Sequence, residues 1–172
     1  TEQTDNDPSA MTVWGLYRDE ANNPKLMLIW AWQERLEFHK LFQKVMDTCT
    51  EDPAKQRIGF PVDRLVIERA ASGASVGQEL YRLIRGTGKF GIDMIDPKKY
   101  GDKVARVQSI QHLFADGMVV APDREYATMV INQCAIFPKG SHDDLVDYTS
   151  QAPRYLRDGG FALRRDESAM SS

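Results

Sequence analysis

The chain has 172 residues and a mass of 19.5 kDa, enough for one domain but not for a second full core. With 42% hydrophobic and 27% charged residues it is neither disordered by composition nor fibrous. Lys and Arg number 22 against 25 Asp and Glu, so the net charge of −3 gives no global field that would draw it to nucleic acid or an acidic membrane. The longest apolar run, Leu26 to Trp32, falls far short of the roughly 20 residues that span a bilayer, so no transmembrane helix is expected. The opening Thr1-Glu2-Gln3-Thr4-Asp5 shows no signal peptide and reads as a piece of a longer chain. Two cysteines, Cys49 and Cys134, fit neither a disulfide framework nor a zinc site, which points to a reducing compartment.

In chain order, residues 1–10 are polar and turn-rich. Met11–Tyr17 and Lys25–Gln33 read as strands around the turn signal Asp19-Glu20-Ala21-Asn22-Asn23-Pro24, which makes an antiparallel hairpin. Leu36, Phe38, Leu41, Phe42, Val45 and Met46 recur at helical spacing and predict a helix over 35–49. After a loop at 53–62, Arg64-Leu65-Val66-Ile67-Glu68 reads as a buried strand ending on a carboxylate. Ser75-Val76-Gly77-Gln78 fits a capping box for a helix through Ile84, stopped by Gly86-Thr87-Gly88. Phe90–Ile95 is a further strand. Asp102 opens one helix with Val104, Val107, Ile110 and Phe114 on its apolar face, ended by Gly117. Met118–Val120 is a short strand and 123–134 a helix. A last helix starts near His142, and Pro153 should kink or split it. From residue 158 the composition turns to a polar tail. The order implies α/β with a mixed sheet, antiparallel first and parallel afterwards.

Several residue groups could carry chemistry. Gly86-Thr87-Gly88-Lys89 departs from the phosphate-loop pattern at both ends and follows a helix where a strand is required, so it reads as a turn. Glu68 would sit at the carboxyl edge of a sheet, where α/β proteins bind ligands. A carboxylate there needs a cation or an ion pair, for which Arg69 and Arg106 are candidates. His142-Asp143-Asp144-Leu145-Val146-Asp147 is the densest acidic cluster. On a helix Asp143 or Asp144 shares a face with Asp147, which suits Mg²⁺, although acids at a helix start also serve capping and the macrodipole. Lys103 and Arg106, three apart after Lys98 and Lys99, could contact a phosphate backbone or be a solvated face. His39 and His112 fall within helical patterns and read as structural. Trp14, Trp30 and Trp32 read as core or partner surface.

Four ordered blocks suggest a family: Leu65-Val66-Ile67-Glu68-Arg69-Ala70-Ala71-Ser72-Gly73, Gly101-Asp102-Lys103-Val104-Ala105-Arg106, Phe114-Ala115-Asp116-Gly117-Met118-Val119, and Phe137-Pro138-Lys139-Gly140-Ser141-His142-Asp143-Asp144-Leu145-Val146-Asp147. In this order the chain resembles the C-terminal nuclease domain of the large terminase subunit of tailed bacteriophages over residues 5–157. The resemblance implies a ribonuclease H-like mixed sheet flanked by helices. It also implies a metal-dependent endonuclease that cuts concatemeric viral DNA during packaging in the cytoplasm of the bacterial host. By the same resemblance, an ATPase domain precedes the nuclease in the full protein, and the small terminase subunit and the portal are partners.

The family's acids map onto Glu68, at a strand end, and onto Asp143 and Asp144 on the last helix, with Asp144 the first choice and Asp147 a neighbour. A further Asp belongs on a first strand upstream of the polar loop that matches Asp5–Ala10, so the sheet is expected to lack that strand and one ligand. Two Mg²⁺ or Mn²⁺ ions are implied as cofactors. Lys103, Arg106 and His142 are implied to contact double-stranded DNA. A non-catalytic module that docks DNA or packaging proteins is the alternative. A Holliday-junction resolvase would share the acids but not the block order.

Overall fold

The two apolar-rich runs near the start of the chain pair as an antiparallel hairpin, and the later strands pair in parallel. The computed structural model describes residues 8–50, 62–68, 76–96, 99, 101–109, 111–137, 139, 146, 149 and 151–155. Its elements are β1 (Ser9–Arg18), β2 (Pro24–Glu34), α1 (Phe38–Cys49), β3 (Arg64–Glu68), α2 (Val76–Thr87), β4 (Gly91–Ile95), α3 (Lys103–Gln108), α4 (Gln111–Ala115), β5 (Val119–Val120) and α5 (Glu125–Ile136). The architecture is mixed α/β. It divides into a crossover unit (Thr1–Pro8 and Arg35–Gly101) and a hairpin unit (Ser9–Glu34 and Asp102–Ser172).

In the hairpin unit the turn is fixed by Asp19. Its backbone carbonyl accepts from Asn22 N at 2.9 Å, and its Oδ1 accepts from Asn23 N at 2.8 Å. That amide donation holds the Asp19 carboxyl below its ordinary range. Asn22 takes φ 65°, a left-handed conformation that Asn tolerates better than most side chains. Further along, Val13 pairs with Trp30 and Trp14 with Leu28, which leaves Ile29 as the extra residue of a β-bulge. The bulge re-phases β2, so Leu28 and Ala31, three apart, both meet Ala127 and Val130 of α5. Trp30 and Tyr126 rings lie 5.1 Å apart, and Gln133 Nε2 donates to Gln33 Oε1 at 2.7 Å, extending the α5 contact along the strand.

β5 joins the other edge of β2 in parallel, Leu26 opposite Val119 and Met27 opposite Val120. The connection into β5 closes on Gly117, whose φ of 71° ends α4 as a left-handed cap. Gly117 N donates to Phe114 O and Met118 N to Leu113 O. Lys25 Nζ donates to Gly117 O at 2.7 Å, putting a cation where helix carbonyls run out of partners.

The crossover unit is a β3–α2–β4 segment with α1 beside it. Leu65 and Ile67 alternate to one face of β3 and are buried, and the helix that follows presents buried Leu80 and Ile84. Packing this apolar stripe on two parallel strands is what a crossover helix requires. Leu41, Val45, Met46 and Cys49 form the buried stripe of α1. Burial pushes the Cys49 thiol up to about 12.

Several expectations are corrected. The single helix expected from Asp102 to Gly117 is two helices, broken at Ser109, whose Oγ turns back onto Arg106 O at 2.7 Å. Val104 and Phe114, expected on its core face, are 41% and 40% exposed. The expected mixed sheet is present as β1-β2-β5, but β3-β4 forms a separate parallel pair among the described residues. Helix starts shift inward, α1 to Phe38 and α5 to Glu125. Residues 151–155, Pro153 among them, are helical, and most of the helix expected from His142 lies outside the described residues. The Ser75 cap and the tail from 158 lie outside the described residues.

Candidate functional site

Glu68 is the last residue of β3 and pairs with Ile95, the last of β4. Both strands run in the same direction, so their carboxyl ends share one edge, the position expected for a ligand-facing acid. Strand alternation puts Glu68 on the face of Arg64 and Val66, opposite buried Leu65 and Ile67. The parallel register adds Gly91, Asp93 and Ile95 to that face. The two sides of the small sheet thus divide their work. One is apolar and joins the core, while the other carries charge.

On the charged face Arg64 Nη1 donates to Asp93 Oδ2 at 2.8 Å, a diagonal ion pair across the two strands. With side chains 51% and 37% exposed it holds register more than it adds stability. It also ties Asp93 to an arginine, whereas Glu68 sits two residues nearer the edge than Val66, the register partner of Asp93. Glu68 is half-buried, and so is Asp96, the first residue after β4. Asp96 was missed in reading the sequence, although the rule that singled out Glu68 covers it: an acid directly after an apolar run, here Met94-Ile95.

The other acids expected at the site, Asp143, Asp144 and Asp147, lie outside the described residues, as does His142. Among the described residues no three His, Cys, Asp or Glu side chains gather to hold a metal ion. Lys103 and Arg106 occupy α3, three apart and both half-buried. Asp102 caps this helix by accepting from Ala105 N at 2.8 Å, and the Arg106 carbonyl accepts from Nη2 of buried Arg154 at 3.1 Å. His39 and His112 are exposed on their helices. Trp32 is buried, while Trp14 packs half-buried against the cluster of Leu28 and Ala31. No helix among the described residues is long and apolar enough to cross a membrane.

No protein-family model, curated protein or solved structure matches this chain.

Proposed function

We propose that the chain is the nuclease domain of a phage terminase large subunit, with a ribonuclease H-like fold, that cuts double-stranded viral DNA during packaging in the host cytoplasm. The observation that supports it most is the position of Glu68 at the common carboxyl edge of two parallel strands. In this reading Glu68 with Asp143 and Asp144 forms the ligand set, Asp147 adjoins it, and Lys103, Arg106 and His142 touch the DNA.

The donor set fits hard divalent cations. All its members are carboxylates, and Mg²⁺ and Mn²⁺ prefer oxygen ligands. Glu68, Asp143 and Asp144 would hold such ions, which would supply Lewis-acid activation of water and charge stabilisation of the leaving oxygen. Glu68 contributes a ligand held by a strand end, a rigid support that fixes where its oxygens can sit. The cationic residues neutralise phosphates and read little sequence.

The test is nicking of supercoiled plasmid with Mn²⁺ and with Mg²⁺. It is run on the chain itself and on a longer form that carries the preceding strand and its Asp. The longer form should cut, and the chain alone should cut a hundredfold or more slowly, about 2.7 kcal/mol at 1.36 kcal/mol per factor of ten. Equal rates would remove the missing-ligand argument. Binding of DNA with no cleavage by either form would favour the non-catalytic docking module instead.

A further inference from the structure

The turn that stops α2 has no part in the acidic edge, yet its chemistry is distinctive. Residues 80–92 hold Arg82, Arg85 and Lys89 and no Asp or Glu, in a chain whose net charge is −3. All five residues from Arg85 to Lys89 are exposed, as is Arg82. A β-carbon at Gly86 or Gly88 would meet nothing within 4 Å, so the backbone between the two outer cations is open to solvent. Gly88 takes φ 63°, which turns the chain sharply enough to present Lys89 just past the helix end. The guanidinium of Arg85 lies over the Tyr81 ring, 6.0 Å from its centre, which limits its rotamers.

We infer that the Arg85–Lys89 turn is a docking surface for the sugar-phosphate backbone of duplex DNA. The proposal deepens the nuclease reading and rests on it for the choice of polyanion. Residues three or four apart on a helix have Cβ atoms about 5–6 Å apart, so Arg82 and Arg85 can follow a strand that carries a charge every ~3.4 Å along its axis. The two glycines leave room for a backbone to come close without displacing a side chain. Arg82 is shared with Glu79, whose carboxyl pKa it lowers, so Arg85 and Lys89 supply most of the attraction. Cations at a helix C-terminus also answer the macrodipole. That role predicts a small change in stability on their removal and none in DNA affinity.

The measurement is anisotropy of a short labelled duplex titrated with the 172-residue chain in EDTA, at several salt concentrations, so that cleavage plays no part. Arg85→Gln with Lys89→Gln should weaken binding roughly tenfold or more at 0.1 M salt. It should also lower the slope of log K against log salt by about 1.8, or ~0.9 for each phosphate no longer neutralised. Arg35→Gln with Lys40→Gln removes the same charge from exposed positions of the same unit and should change affinity by less than about twofold. An unchanged melting temperature in both variants confirms folding. Wild-type affinity in the turn variant, an equal loss in the control pair, or no binding by the wild-type chain would each overturn the proposal. Binding lost through the turn, with no plasmid nicking by any form, would uphold the surface while the nuclease reading failed.

Discussion

In the hairpin unit β1 and β2 pair over ten residue pairs with one bulge, whereas in the crossover unit β3 and β4 pair over five. The long antiparallel pair is closed by a turn of its own and carries α5 on one face, so most of its order is local in sequence. The short parallel pair cannot be joined by a turn at all and depends on α2 lying across it. The consequence is chemical as well as mechanical. A parallel pair gathers two strand ends at one edge, and there Glu68 and Asp96 lie without breaking the apolar face of Leu65 and Ile67. An antiparallel hairpin gives no such edge, because its two strands end at opposite sides.

The difference can be broken from either side by core truncation. Leu28→Ala in the hairpin unit and Ile84→Ala in the crossover unit each remove a side chain that is 1% exposed, and each should cost about 2–5 kcal/mol in denaturant unfolding. Cys49 separates the two effects. It is buried, with its thiol pushed up to about 12, so a thiol reagent at pH 8 reaches it only when the crossover unit opens. Ile84→Ala should speed Cys49 labelling far more than Leu28→Ala does. Equal acceleration would mean that the units open together.

A smaller effect is expected at the α4 terminus. Gly117→Ala must hold φ 71° with a β-carbon, at a cost of about 1–2 kcal/mol. The Arg64–Asp93 pair is weaker still. Because both side chains are more than a third exposed, Arg64→Ala should cost no more than about 1 kcal/mol, and less in high salt. Smallest is the acid dependence of the hairpin turn. The folded-state pKa of Asp19 is depressed by the Asn23 amide, so its contribution is present above its unfolded pKa and lost as pH falls through the folded value. Asp19→Ala should remove that part of the acid sensitivity, as read by unfolding curves across pH 2–6. An unchanged acid limb would show that the turn carbonyl bonds suffice.

The hairpin and β3 were legible because each signal was local: two apolar, aromatic-rich runs around Asp19–Asn23, and an apolar run ending on Glu68. The β-bulge at Ile29 left no such mark, since an extra residue in a uniformly apolar strand does not disturb composition. The break at Ser109 was hidden by apolar residues that kept helical spacing on both sides of it. Two sheets could not be told from one because pairing is a long-range choice, whereas periodicity reports only which residues can be strands. At the site, Glu68 was found by its position after an apolar run. Asp96 was passed over because Asp93 interrupts the apolar residues before it, leaving only Met94-Ile95, and because it lies one residue past the end of β4.

The most direct test is the plasmid-nicking rate of Glu68→Ala against Asp93→Ala, both in the longer form of the proposed nuclease. The two acids share one face of the same strand pair, but Asp93 is held by Arg64 while Glu68 stands at the carboxyl edge. If Glu68 holds a catalytic metal, its loss should slow nicking by about a hundredfold or more with Mg²⁺, equivalent to some 2.7 kcal/mol, while Asp93→Ala stays within about a factor of five. Equal rates for the two variants, or a Glu68→Ala protein that cuts as fast as the unaltered one, would contradict the assignment.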